Sequence, residues 1–219
     1  MIKVKENDLG TVITLNSFVI VFGNANASEE NLVQEIPTIS YHRIKQTHSD
    51  IVIQALRDNV PLSIADAHWT TEKNLALRIL TADCLPIMIV DQRLGYVASV
   101  HAGWRGIVNQ ITEKTIHEFI ANGSNTEDIF VFIGPHIQAA SFEIKNDIYE
   151  QLKDGVVESC GMDTHKVSLL KMISSNLKSI GIKEEQLWKS PIDTVVDMKY
   201  NSYRRDKTSR RQISFVFRN

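Results

Sequence analysis

Two short segments of this 219-residue chain carry the residue types that do chemistry. The first, Thr81-Ala82-Asp83-Cys84-Leu85-Pro86, runs into the apolar stretch Ile87-Met88-Ile89-Val90. After the polar Asp91–Gly95, a second apolar run, Tyr96-Val97-Ala98-Ser99-Val100, leads into His101-Ala102-Gly103-Trp104-Arg105-Gly106. Two apolar runs flanking such a turn read as a β-hairpin. A turn centred on Gln92 and Arg93 sets Cys84 directly opposite His101. One centred on Arg93 and Leu94 slips the pairing by two and leaves both side chains on the same face. Opposed positions hold their Cβ atoms roughly 4.5–5.5 Å apart, close enough for one metal to take a thiolate and an imidazole. A third donor comes from His48, within Gln46-Thr47-His48-Ser49-Asp50, just ahead of an apolar run at Ile51. Three N/S donors suit zinc and leave a position open for water or substrate, the arrangement that brings a bound water's pKa towards neutrality. The competing reading from spacing alone is a buried structural cysteine beside a satisfied core histidine.

The elements that must position these residues are short. Strand-like runs stand at Thr11–Leu15, Phe18–Phe22, Ile51–Leu56, Leu75–Leu80, Ile129–Ile133 and Ile213–Phe217, besides the two hairpin arms. One helix is marked by Trp104, Ile107, Val108, Ile111, Ile116, Phe119 and Ile120, with a stop at Asn122-Gly123. A second carries the stripe Val167, Leu170, Ile173, Leu177 and Ile180, ends at Gly181, and has Asp163 or Thr164 as its expected N-cap. Strands arrive mostly as adjacent pairs, so the fold reads as mixed α/β with α+β character and hairpins, over one domain from 1 to 219. No repeat or Pro/Gly/Ser-rich linker divides the chain.

Composition narrows the function. Hydrophobic residues make up 43% and charged residues 23%, with a net charge of -2, so no broad basic field favours nucleic acid. No stretch approaches the ~20 apolar residues of a membrane span, and Met1–Leu9 lacks the apolar region of a secretory signal. Two cysteines, Cys84 and Cys160, make no disulfide framework and point to a reducing, cytoplasmic setting. Cys160 reads as an uninvolved thiol near a turn.

At these residues the chain resembles the YfiH/YlmD-type laccase-domain family. The resemblance is carried by Gln46-Thr47-His48, Ala65-Asp66-Ala67 with Thr70, the TADCLP block at 81–86 and the HAGWRG block at 101–106. It continues through Ile133-Gly134-Pro135, Phe142-Glu143-Ile144 and Ser202-Tyr203-Arg204-Arg205-Asp206. It implies a layered α/β/β/α sandwich with mixed sheets and a metal held by His48, Cys84 and His101. It also implies phosphorolysis of purine nucleosides (adenosine, inosine, methylthioadenosine) with adenosine deamination as a second activity; older usage calls the family multicopper polyphenol oxidases. The chain departs from the family pattern at Ser49, where the family usually has glycine, at His136 with Ala140-Ser141, and at Ser209.

Around the ligands, Asp83 is a candidate to orient a ligand or carry a proton, against a turn or strand-end role. Arg105, three residues past His101 at the start of a helix, is a candidate phosphate holder, against a surface ion pair. Arg204 and Arg205, in a basic cluster with Arg210 and Arg211, and Gln46 are candidate substrate contacts, against a solvated edge. His136 is a candidate second neighbour of the metal, against a preferred capping or packing role, while His42 and His68 lack a partner pattern and His117 and His165 read as lying in or beside helices. In deamination, a water activated by the metal would attack C6 of the adenine ring; in phosphorolysis, phosphate would attack the ribose C1′ as the base departs protonated. Three other functions compete. A copper oxidase would need many more histidines than seven, with Met88 as the available axial ligand. A cysteine hydrolase or peptidoglycan-editing enzyme would use Cys84 as nucleophile activated by His101. An interaction module with structural zinc would need His136 as a fourth ligand.

Overall fold

The computed structural model describes residues 1–35, 39–57 and 62–219. Its first sheet has seven strands and is mixed. In sequence these are β1 (Ile2–Asn7), β2 (Gly10–Leu15), β3 (Phe18–Gly23), β4 (Ser40–Lys45), β6 (Ser63–Ile64), β8 (Leu75–Thr81) and β16 (Gln212–Arg218), ordered β1-β2-β3-β16-β8-β4-β6. The second has six: β5 (Val52–Gln54), β7 (Ala67–Thr70), β9 (Leu85–Asp91), β10 (Val97–Ala102), β11 (Ile129–Ile133) and β15 (Leu187–Lys189), ordered β15-β11-β9-β10-β7-β5. A small third sheet, β12 (Glu143–Lys145), β13 (Val156–Ser159) and β14 (Thr164–Val167), is ordered β12-β14-β13.

Alternation along the strands explains the layering. Leu75, Leu77 and Ile79 of β8 join Met88 and Val90 of β9 and Phe132 of β11 in one apolar cluster between the two large sheets. The opposite face of the second sheet, with Ile87, Ile89, Val100 and Val131, packs on helices α2 (Trp104–Val108), α3 (Ile111–Ala121) and α5 (Leu169–Ser179). Behind the first sheet, Phe215 and Phe217 meet Leu32 of α1 (Glu29–Glu35). The mixed α/β class and its layered α/β/β/α order are therefore both present. Two short helices complete the chain, α4 (Tyr149–Leu152) and α6 (Tyr203–Asp206). No helix among the described residues is long and apolar enough to cross a membrane.

Four details differ from expectation. The first helix is two: Gln110 adopts φ 61, ψ 39 and breaks the spiral, while both pieces still bury apolar residues against the same sheet. The second begins at Leu169, not near Thr164, because Thr164–Val167 is a strand and Ser168 accepts the capping bond from Lys171 N. His42 and His68, which show no partner pattern in the sequence, bond to each other through Nδ1 atoms 2.8 Å apart in the interior. Burial depresses both imidazoles' pKa values, so the pair is neutral. His165 likewise sits in a strand, not beside a helix.

The β9–β10 hairpin has the register centred on Arg93 and Leu94: His101 faces Pro86 and Ala102 faces Leu85. Asp91 decides it, its Oδ1 accepting from both Arg93 N and Leu94 N at 2.7 Å while Gly95 supplies φ 78. Cys84 thus lies one residue before β9, diagonal to His101 instead of directly opposite.

Candidate metal centre

Three separate elements deliver the expected donors to one place. His101 comes from β10, Cys84 from the bend before β9, and His48 from the loop after β4. Their ligand atoms all lie within 4.8 Å of one another, with Cys84 Sγ 3.9 Å from His48 Nε2. Tetrahedral zinc would set such donors ~3.3–3.8 Å apart, so the group fits a metal with a shift of about 1 Å. His101 is buried, Cys84 half-buried and His48 exposed. The cluster therefore opens on its His48 side, as a site with a free coordination position requires.

The residue that assembles the cluster is Asp66, at the entry to β7 and fully buried. Its carboxylate accepts from the backbone N–H groups of Thr47 (3.0 Å), His48 (3.0 Å) and Ser49 (2.6 Å) and from Ser49 Oγ (2.6 Å). It also bonds His101 Nδ1 at 2.7 Å, and its own carbonyl accepts from His101 N at 2.7 Å. Burial alone would raise the Asp66 pKa, but the bonds from His101, Ser49 and Thr47 hold it far below the usual carboxylate range. An ionised Asp66 keeps the proton on His101 Nδ1, leaving Nε2 as the metal-facing nitrogen. It also fixes the loop in which His48 adopts φ 60. Ser49 adds a hydroxyl bond to Asp66 that a glycine there would have no atom to make. Sequence reasoning placed Asp66 in a matching block without giving it this role.

Cys84 and His101 shift each other. Burial disfavours the thiolate, yet the charge on His101, with hydrogen bonds from His101 and His48, pulls the Cys84 thiol well below its ordinary pKa. Burial likewise opposes the imidazolium, but the Cys84 charge and then the Asp66 bond push His101 upward. Gly103 provides the clearance. A Cβ there would stand 3.0 Å from His48 Cδ2 and 3.2 Å from Cys84 Sγ, although φ -71, ψ 167 suits any residue. Gly103→Ala is expected to weaken metal binding about 10–100-fold, the scale of lost support around a ligand, without altering the fold. Chelator competition beside a thermal melt of the metal-free protein checks this; unchanged metal affinity would refute it.

The cluster opens into a cavity of about 790 Å³, a size that suits a small-molecule ligand. Of the other candidates, Asp83, Gln46 and Arg204 also line it. Asp83, at φ 81, accepts from Thr194 Oγ1 (2.7 Å) and from Arg204 N (2.6 Å), so it holds the start of α6 at the cavity wall. Gln46 exchanges two 2.8 Å bonds with the backbone of Leu80, which ties the His48 loop to β8. Arg205 lies outside the lining and spends its guanidinium on Asp206 and the carbonyls of Thr194, Val195 and Tyr200. Arg105 also lies outside, exposed, its Cζ 4.8 Å from the Trp104 ring. His136 is buried, with Nδ1 donating to Gly134 O (2.7 Å), and is absent from both the donor group and the cavity lining. The fourth ligand of a closed structural zinc site is therefore not His136. Met88, four residues along β9 from Cys84, lies ~13 Å away by strand rise and packs between the sheets, out of reach as an axial ligand.

The family model described as multi-copper polyphenol oxidoreductase laccase matches residues 23–219. The chain belongs to the laccase-domain family of YfiH and YlmD. Among relatives in that family, a protein of Clostridium acetobutylicum named purine nucleoside phosphorylase is 33% identical over 192 residues, covering 80% of this chain and 75% of its own. YfiH of Escherichia coli K12, also named purine nucleoside phosphorylase, is 27% identical over 180 residues, covering 80% and 72%. For the fold, YfiH of Bacillus licheniformis superposes with a TM-score of 0.87 at 21% identity, covering 95% of this chain and 96% of its own. YlmD of Geobacillus stearothermophilus gives 0.86 at 19%, covering 93% of each. The laccase-domain fold is thus common to proteins that share about a fifth of their residues with this one.

Proposed function

We propose that this laccase-domain chain is a zinc-dependent purine nucleoside phosphorylase acting on adenosine, inosine and methylthioadenosine, with adenosine deamination as a second activity. The observation that carries the reading is the open His48–Cys84–His101 group in a cavity whose wall includes Trp104, Phe142, Ile137 and Leu80. A flat purine suits the apolar wall, and the ribose and phosphate need the polar part. The relatives named purine nucleoside phosphorylase support the same substrate class.

Held by His48, Cys84 and His101, zinc would supply Lewis-acid chemistry at the cavity. The chain's own residues do the rest. Asp66 holds the His101 tautomer and the His48 loop. Asp83, with both oxygens engaged, positions Arg204 in preference to carrying a proton. In phosphorolysis a phosphate oxygen bonds to the ribose C1′ as the C1′–N9 bond breaks, and the purine leaves with a proton, giving ribose 1-phosphate and free base. A purine seated on the apolar wall would displace water, which otherwise competes as nucleophile.

A copper oxidase is disfavoured because the described residues contain one group of three donors and Met88 is remote. Purified protein should carry about one zinc per chain and convert adenosine or inosine to free base only when inorganic phosphate is present. Several coppers per chain, or base release independent of phosphate, would overturn the proposal.

A further inference from the structure

Arg105 is not among the residues that line the cavity, so the phosphate needs other partners. We infer that Arg204, Lys207 and Arg211 form a subsite for a phosphate-type oxyanion in the wall of the metal-site cavity. All three line it. The segment from Tyr203 to Arg211 holds five cations and a single acid, Asp206, which is already taken by Arg205. Among the described residues, none of the three lining cations makes an ion pair. Three cations against a single carboxylate, Asp83, leave the cavity lining with an excess of positive charge that an anion relieves.

Each side chain is also held with capacity to spare. Arg204 is anchored through its backbone N–H to Asp83 and lies with Cζ 5.2 Å from the Phe142 ring. Its Nη1 donates to Glu143 O at 3.1 Å, which leaves the remaining guanidinium donors free. Lys207 sits in the left-handed region at φ 51, ψ 25, an uncommon place for a residue other than glycine, asparagine or aspartate. It caps α6 there, with Nζ 5.1 Å from the Tyr203 ring. Arg211 donates from Nη1 to the carbonyls of Thr208 and Arg210, both at 2.8 Å, so the loop closes on itself while Nε and Nη2 stay open. Two forked guanidinium groups and an ammonium match a tetrahedral dianion better than a planar carboxylate, which a single arginine already satisfies. Asp83, the one carboxylate in the lining, has both oxygens occupied by Thr194 and Arg204. Arg210 belongs to the same segment but lies outside the cavity and serves as an internal control.

The inference rests on the phosphorylase reading only for the identity of the anion as co-substrate. Calorimetric titration of zinc-loaded protein with inorganic phosphate, and separately with adenosine 5′-monophosphate, tests it. Binding of inorganic phosphate is expected in wild type, at least tenfold weaker binding in the Lys207→Ala/Arg211→Ala double variant, and a change within twofold in Arg210→Ala. Zinc content and thermal unfolding should match wild type in both variants; Lys207→Gln replaces the double variant if the latter misfolds. Binding of the nucleotide alone, lost in the same variant, would retain the subsite and assign the anion to an esterified phosphate. Absence of both, an unaltered double variant, or an equal loss in Arg210→Ala would overturn the subsite. Turnover assays separate the two readings. Phosphate binding without phosphorolysis removes the phosphorylase function alone, and phosphorolysis with an unmoved phosphate KM in the double variant removes the subsite alone.

Discussion

Asp66→Ala is expected to destabilise the protein by about 3–5 kcal/mol and to abolish metal retention together. Removing one partner of a buried, hydrogen-bonded charge while leaving the others in place has a cost of that size. Three backbone N–H groups, a serine hydroxyl and an imidazole all point at this carboxylate. Buried donors without an acceptor carry their own desolvation cost. Asp66→Asn keeps the volume but puts an NH₂ group where one oxygen accepted, so it should fall between the two. The pH dependence has a definite sign. Because folding depresses the Asp66 pKa, its stabilisation is complete above the unfolded value of about 3.9 and fades as pH falls below it. The Asp66 part of the stability gap between wild type and Asp66→Ala should therefore be fully present above about pH 5 and narrow below about pH 4, while His101, whose pKa the Asp66 bond helps raise, adds a part that declines as pH rises from about 6.5 to about 9. Denaturant unfolding of metal-free protein across that range measures it, and metal analysis completes the test. A variant as stable as wild type, or one that keeps its metal, would remove Asp66 from the role assigned to it.

How much of this was legible in the sequence depends on what kind of information each feature needs. The meeting of Cys84 and His101 was readable because they sit at the two ends of one local hairpin, whereas His48 was supplied chiefly by the family resemblance. The hairpin's register was not, since a slip of two preserves the facing of every side chain, and only the Asp91 turn bonds choose between the options. The stripe from Trp104 to Ile120 read as one helix because α2 and α3 bury their apolar residues in a common cluster, so Gln110 interrupts the backbone without interrupting the pattern. Val167 looked like the first residue of a helical stripe although it ends a strand, because apolar burial there serves both elements. β1 escaped notice for a different reason: it is an edge strand whose Lys3, Lys5 and Glu6 face solvent, so it has little apolar signal to read. Asp66 was the hardest case. Its partners lie 17 to 35 positions away, and nothing local distinguishes a buried organising carboxylate from a turn residue. The same holds for Arg105 and Lys207, whose proximity in sequence to a ligand or to an arginine cluster does not say which one faces the cavity.

Cys84→Ser carries the other large effect and decides between two chemistries that share Cys84 and His101. Cys84, His101 and Asp66 stand in the order thiol, imidazole and carboxylate, with the thiol pulled below and the imidazole above their usual ranges. A cysteine hydrolase would use that order directly, with the thiolate as nucleophile. The metal reading uses the same depressed thiol as a ready ligand, because less free energy is then spent on removing its proton. Serine nearly preserves shape but ionises far less readily and binds zinc poorly. On the metal reading, Cys84→Ser should lose most of its metal and about three orders of magnitude in turnover, ~4 kcal/mol of transition-state stabilisation. On the nucleophile reading, turnover falls while His48 and His101 chemistry is untouched and metal content stays at its wild-type level. Proton competition adds a second, independent signature. Metal affinity of the wild type should decline about tenfold per pH unit for each proton that returns to a ligand, with the Cys84 contribution appearing below neutrality because its pKa is depressed. That contribution should vanish from the pH profile of Cys84→Ser, whatever residual affinity the two histidines retain. Full metal content in the variant with turnover abolished would transfer the chemistry from the metal to the sulfur.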